Sequence, residues 1–159
     1  MARRRSRRVI ARFWRVEDRH SAARYDGLDI VALSLGWVNM EAHDGNERRI
    51  LYRALEDHLD WSNRNPTPFI SVYAHRDAAY ADAERRVRED RMDVVVTEIV
   101  IREEDIGGQR SRIRFRQVRK LARENHLRIP PRAWHNSKEE FVFLHRIPGR
   151  TIVQRTHWD

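Results

Sequence analysis

Pro130-Pro131-Arg132-Ala133-Trp134-His135-Asn136-Ser137-Lys138-Glu139-Glu140-Phe141-Val142-Phe143 is the stretch on which the reading of the fold turns. The Pro-Pro pair reads as a stop that leads into a polar turn presenting one aromatic, Trp134. The turn hands carboxylates to the first residues of an apolar run, Phe141-Val142-Phe143-Leu144. Consecutive aromatic and β-branched residues bounded by turn signals predict a buried strand. A Glu at the mouth of such a strand is held on a rigid element at the edge of the core. A fixed carboxylate there can do chemistry, but an ordinary solvated strand end looks the same in sequence.

The chain has 159 residues, enough for one domain with one sizeable core. Hydrophobic residues make up 40% and there are five Trp, which is not a disordered composition. No apolar run approaches the roughly 20 residues of a membrane helix. The absence of Cys removes disulfides, thiolate chemistry and Cys-based zinc sites. With no apolar segment after the basic start, the expectation is an intracellular protein, cytoplasmic or nuclear. Lys plus Arg exceed Asp plus Glu by 32 to 24, a net charge of +8, and nearly all the cations are Arg. The planar Arg fork suits phosphate, so a polyanionic partner or substrate is in view, although the charge reads as scattered along the chain.

Residues 1–8 form a like-charge run expected to be a flexible tail, with residues 9–159 as a single domain. Val9 to Val16 predicts a strand that carries Arg15 among apolar residues, where it needs a carboxylate or a ligand phosphate. Residues 19–27 suggest a short helical turn stopped by Gly27, while Leu28 to Trp37 leaves strand and loop open. Asp44-Gly45-Asn46 signals a turn before a helix over Glu47 to Trp61, with Ile50, Leu51, Ala54, Leu55, His58 and Leu59 on its apolar face. A loop over Ser62 to Pro68 precedes a strand, Phe69-Ile70-Ser71-Val72-Tyr73, in which Ser71 is small and polar. Asp77 is placed to cap a helix from Ala78 to about Arg91, and Val94 to Ile101 is the strongest strand, broken by Gly107-Gly108. Arg110 to His126 is strongly basic, helical in its second half, and the segment best suited to face nucleic acid. After the opening stretch, Arg146 to Arg150 turns into a last strand at Thr151 to Gln154.

A strand with Arg15, helices, a strand with Ser71, a helix, a long strand and a strand opening at Glu140 resemble the ADP-ribosyltransferase superfamily, specifically its cholera-toxin-like Arg–Ser–Glu group. The motifs that carry the resemblance are Trp14-Arg15-Val16-Glu17, Pro68-Phe69-Ile70-Ser71-Val72-Tyr73 and Lys138-Glu139-Glu140 behind a loop bearing Trp134. It spans residues 13–153 and implies an α+β fold with a split two-sheet β core and flanking helices. Two positions depart from the group. Val72 and Tyr73 replace the Thr and second Ser of its Ser-Thr-Ser strand, and Lys138 stands where arginine-specific members carry their first Glu.

The resemblance implies NAD as substrate, cleaved at the nicotinamide–ribose bond. Glu140 would stabilise the oxocarbenium-like ribose, Arg15 would hold the pyrophosphate with Glu17 beside it, and Ser71 would brace Glu140. Trp134 would offer a stacking face to the acceptor, while Lys138 would repel an Arg acceptor and attract an acidic or phosphate-bearing one. The acceptor, protein or nucleic acid, is left open. The structural alternative is Arg15 ion-paired to Glu140, Ser71 satisfied within its strand and Trp134 packed. A second function class is a binding module of the same fold acting on RNA or DNA, or an enzyme whose substrate is a nucleic acid such as tRNA. A metal enzyme fits poorly, because none of the eight His falls at ligand spacing, and Ser71 lacks the glycines of a nucleophile elbow.

Overall fold

The computed structural model describes residues 8–60, 65–106 and 113–158. Residues 1–7 of the basic tail, Trp61 at the end expected for the first helix, residues 62–64 of the loop expected after it, and the Gly107-Gly108 break lie outside those residues. The described chain is mixed α+β, with two antiparallel sheets. The larger has six strands in the order β6-β7-β4-β1-β5-β9: β1 (Val9–Glu17), β4 (Phe69–Tyr73), β5 (Val94–Arg102), β6 (Phe115–Gln117), β7 (Glu140–Leu144) and β9 (Ile152–Trp158). The smaller has the order β2-β3-β8, from β2 (Arg24–Tyr25), β3 (Ile30–Val31) and β8 (Arg146–Ile147). Five helices complete the order: α1 (Gly45–Leu59), α2 (Arg76–Arg88), α3 (Glu103–Ile106), α4 (Val118–Glu124) and α5 (Pro131–Ser137).

Alternating burial explains the layers. One face of the large sheet presents Phe13, Ile70, Val72, Ile99, Ile101 and Phe143 to Ile30 and Ile147 of the small sheet. Phe13 is the hub, its ring centroid 5.1 Å from Phe115 and Phe141 and 5.3 Å from Phe143. Helix α1 lays Leu51, Leu55 and Leu59 against Phe69, Leu121 and Val142, a spacing that puts all three leucines on one stripe. Helix α2 covers Val16, Val94 and Val96 with Ala79 and Ala83, residues small enough to let helix and sheet approach closely.

Several local expectations are corrected. Residues 19–27 are not a helical turn. Asp18 accepts the His20 N–H at 2.8 Å, Ser21 Oγ accepts the Asp18 N–H at 2.9 Å, and Arg24-Tyr25 then pairs with Ile30-Val31 as a hairpin. Gly27 sits in that hairpin turn at φ 99°, a conformation that favours glycine. Gly45 and Asn46 begin α1 rather than preceding it, and α2 starts at Arg76, so Asp77 lies in its first turn instead of capping it. The Pro-Pro pair opens a helix instead of stopping one. Pro131 takes the first helical position, where its missing N–H costs nothing, and the Pro130 carbonyl accepts from Ala133 and Trp134.

The β2–β3 hairpin is tied to the segment after β8 at Gly149. Its N–H donates to Asp29 Oδ1 at 2.7 Å, and the second Asp29 oxygen accepts from Arg146 at 2.6 Å. A methyl group at this position would be driven into the backbone carbonyl of Leu28, which cannot swing aside as a side chain could. Gly149→Ala should therefore lower unfolding free energy by about 2–3 kcal/mol. Urea denaturation checks it, and a midpoint equal to wild type would show that the 26–29 turn is free to move.

Candidate functional site

Strands β1 and β4 share a single registered pair, Trp14↔Tyr73. Beyond it residues 15–17 run past β4 without pairing, so the sheet opens there, and the Arg15 side chain crosses the opening. Arg15 Nη1 donates to the Ser71 carbonyl at 2.7 Å and Nη2 to the Ala23 carbonyl at 3.0 Å, leaving buried Nε without a partner among the described residues. Arg15 is 8% exposed. Burial lowers its pKa, with the nearby Glu17 charge opposing. It stays a cation, because guanidinium holds its proton far above neutral pH.

Strands β4 and β7 place the next two groups. Tyr73 registers with Glu140 and Ser71 with Val142, so Ser71 and Glu140 are diagonal neighbours on one face of the sheet. Ser71 Oγ donates to Glu140 Oε1 at 2.6 Å. Its hydroxyl has one proton, so toward its other neighbour, His58 Nε2 at 2.7 Å, it acts as acceptor. His58 therefore carries its proton on Nε2, and Nδ1 accepts from Thr67 Oγ1 at 2.8 Å. The result is a directed chain, Thr67 to His58 to Ser71 to Glu140, in which every donor points toward the carboxylate.

These groups line one cleft of about 480 Å³, with Tyr73, Asp82, Arg86 and Arg91 among its other walls. That volume lies within the range of small-molecule sites. The Tyr73 hydroxyl donates to Asp82 at 3.0 Å, and burial followed by the Asp82 charge raises its pKa, so it stays protonated. Burial alone would raise Asp82, but the Arg86 charge and hydrogen bond, with hydrogen bonds from Tyr73 and Arg85, together bring the carboxyl below its ordinary value. Arg86 also reaches Asp18 at 2.9 Å, which fixes α2 against the turn after β1.

Burial pushes the Glu140 carboxyl above the ordinary range, with the Ser71 hydrogen bond and the Arg15 charge pulling the other way. His58 is lowered from 6.5 to about 4 by burial and then by the Arg15 charge, so it is neutral at pH 7. An unfolded chain takes up this proton near pH 6.5 while the folded one refuses it until about pH 4. The unfolded state binds more protons in that window, so the stability that His58 contributes is complete above pH 6.5 and is lost as pH falls toward 4, by about 3 kcal/mol. Glu140 has the opposite sign, because a raised carboxyl favours the folded state at low pH. Comparison with His58→Gln isolates the histidine. Between pH 7 and pH 4 the wild type should lose about 3 kcal/mol more than the variant in urea titrations, whereas parallel curves would overturn a buried neutral His58.

Arg15, Ser71 and Glu140 thus come together, and Arg15 spends its terminal nitrogens on carbonyls rather than on an ion pair with Glu140. The other three candidates lie elsewhere. Glu17 does not line the cleft; it is buried, and Oε2 accepts the Tyr25 N–H at 3.1 Å. Trp134 and Lys138 line a second hollow, on the side of α5 that faces α4. Only Asn136 of that helix lines the cleft. His58 was missed because it reads as one more position on the buried face of α1. That placement was itself the signal, since a His in line with Leu51 and Leu55 must find polar partners inside.

The model of one family, described as Domain of unknown function (DUF7587), matches residues 9–159, and the chain belongs to that family. No curated protein matches it.

Proposed function

We propose that the chain is an ADP-ribosyltransferase-like protein that cleaves NAD at the nicotinamide–ribose bond and passes the ADP-ribosyl group to a non-arginine acceptor or to water. The observation that carries the reading is Ser71 Oγ holding Glu140 at 2.6 Å while Arg15 holds the Ser71 carbonyl at 2.7 Å. Three residue types met in sequence order are joined in one open cleft by two short hydrogen bonds. The opening between β1 and β4, with the small sheet packed behind it, supports the split two-sheet fold of that superfamily.

The residues fit the donor. As the glycosidic bond breaks, nicotinamide leaves with the electron pair and positive charge grows on the ribose. A carboxylate fixed beside it stabilises that charge more in the transition state than in the ground state. Ser71 supplies the fixing, and neutral His58 satisfies the Ser71 lone pair without adding a competing cation. Arg15 serves this arrangement chiefly as a positioning residue. Among the cleft cations, exposed Arg91 has no carboxylate partner within the described residues, whereas Arg85 and Arg86 are held by Asp82; Arg91 is therefore the group to meet the pyrophosphate. A non-arginine acceptor is the reading because Lys138 stands at the sequence position where arginine-specific members of that group carry their engaging Glu.

Incubation of the purified chain with NAD should release nicotinamide, with Arg91→Ala raising KM about tenfold or more for the loss of a charge-assisted contact. Absence of release with NAD alone and with cell extract as acceptor would overturn the reading.

A further inference from the structure

The second hollow carries a different chemistry. It has a volume of about 730 Å³ between α4 and α5, and its lining includes Arg119, Arg123, Arg128 and Lys138 with no Asp or Glu. None of these four cations is ion-paired among the described residues. The segment from Arg114 to Lys138 carries eight Lys or Arg and a single Glu, and four of those cations line the hollow. Such a local field attracts a polyanion from a distance.

The hollow is more than a charged surface. Leu127 and Ile129 give it an apolar floor, and Trp134, 52% exposed, stands in its wall. The Arg119 guanidinium lies 3.8 Å from the Trp134 ring centroid. It is pinned there by Nε to Ser137 Oγ and Nη2 to the Trp134 carbonyl, both at 2.9 Å. A stacked Arg–Trp pair held before any ligand arrives loses little side-chain freedom on binding. Free cations spaced around an ordered aromatic platform are the combination that holds single-stranded nucleic acid, phosphates on the cations and a base on the ring. A phosphoprotein would use the cations but leave the exposed ring and the apolar floor unfilled.

We propose that the α4–α5 hollow binds single-stranded nucleic acid, with a base stacked on Trp134 and the backbone phosphates on Arg123, Arg128 and Lys138. The proposal is independent of NAD cleavage.

Fluorescence anisotropy of the full chain with a fluorescein-labelled oligouridylate octamer tests it. Affinity should fall with salt along a log–log slope of about −0.7 per phosphate contacted, and Arg128→Gln should make that slope shallower by about 0.7. Trp134→Ala should weaken binding about 5- to 100-fold at constant salt. Because Trp134 is exposed, the variant should melt like wild type. Heparin, which has charge without bases, should compete less well against wild type than against Trp134→Ala. An octamer affinity indifferent to Trp134→Ala would overturn the proposal in favour of charge alone. Equal affinity for UMP would overturn it in favour of a free-nucleotide pocket, and equal affinity for a blunt RNA duplex would also overturn it.

Discussion

Glu140→Gln should reduce the rate of nicotinamide release by about 10²–10³-fold, with KM for NAD changed less than threefold. The substitution keeps the size and shape of the side chain, and the Gln oxygen can still accept from Ser71, whose hydroxyl sits 2.6 Å from Glu140 Oε1. What it removes is the negative charge, which matters only when the ribose becomes positive. The loss therefore belongs in kcat. Stability should hold or rise, because burial already pushes this carboxyl toward its neutral form and the variant is neutral throughout. Wild-type turnover should also have an acid limb above the ordinary carboxylate range, since activity needs the ionised form and burial raises the pKa. That limb should vanish from the residual activity of Glu140→Gln. A variant that releases nicotinamide at the wild-type rate would show that Glu140 only terminates a hydrogen-bond chain.

The strands that build the site are legible where one physical constraint dominates. Val94 to Ile101 and Phe141 to Leu144 have no reading except as strands of a core, so β5 and β7 stand within a residue or so of their predicted ends. With β7 in place, Glu140 can be found, because, of the Glu139-Glu140 pair, it is the one that stands as the first residue of the strand. Side-chain direction is less accessible. Trp134 and Lys138 are six and two residues from Glu140 in sequence, yet α5 and its C-cap turn both of them to the other side. No periodicity can be read from a seven-residue helix that begins on a Pro pair. Thr67 is invisible for another reason: it lies in a loop, and only the tertiary approach of α1 brings His58 to it. Charge distribution is also lost in a linear reading, which does not show that Arg119, Arg123, Arg128 and Lys138 gather around one hollow.

Arg15→Lys should be as damaging as removal of the charge, although it keeps the cation. The guanidinium spans the opening between β1 and β4 and ties two carbonyls, Ser71 and Ala23, that belong to different parts of the fold. A lysine ammonium is one point at the end of a shorter reach, so it can meet one carbonyl and must leave the other buried without a donor. The unsatisfied carbonyl costs about 1–3 kcal/mol, and with the poorer fit of the stem the variant should lose about 2–4 kcal/mol in urea titrations. Turnover should fall about 10²-fold, because a Ser71 backbone released by even 1 Å no longer aims its hydroxyl at Glu140. A role in charge alone makes a different prediction, with Arg15→Lys close to wild type and only Arg15→Met defective. The two substitutions separate further in pH. The Arg15 charge pulls the Glu140 carboxyl down and holds His58 low. Arg15→Met should therefore move the acid limb of turnover to higher pH, whereas Arg15→Lys should leave the limb in place and lower only the plateau. A plateau preserved in Arg15→Lys would reduce Arg15 to a source of field. A lowered plateau with an unmoved limb would assign it the bridging role, in which one buried fork sets the position of the serine that sets the position of the carboxylate.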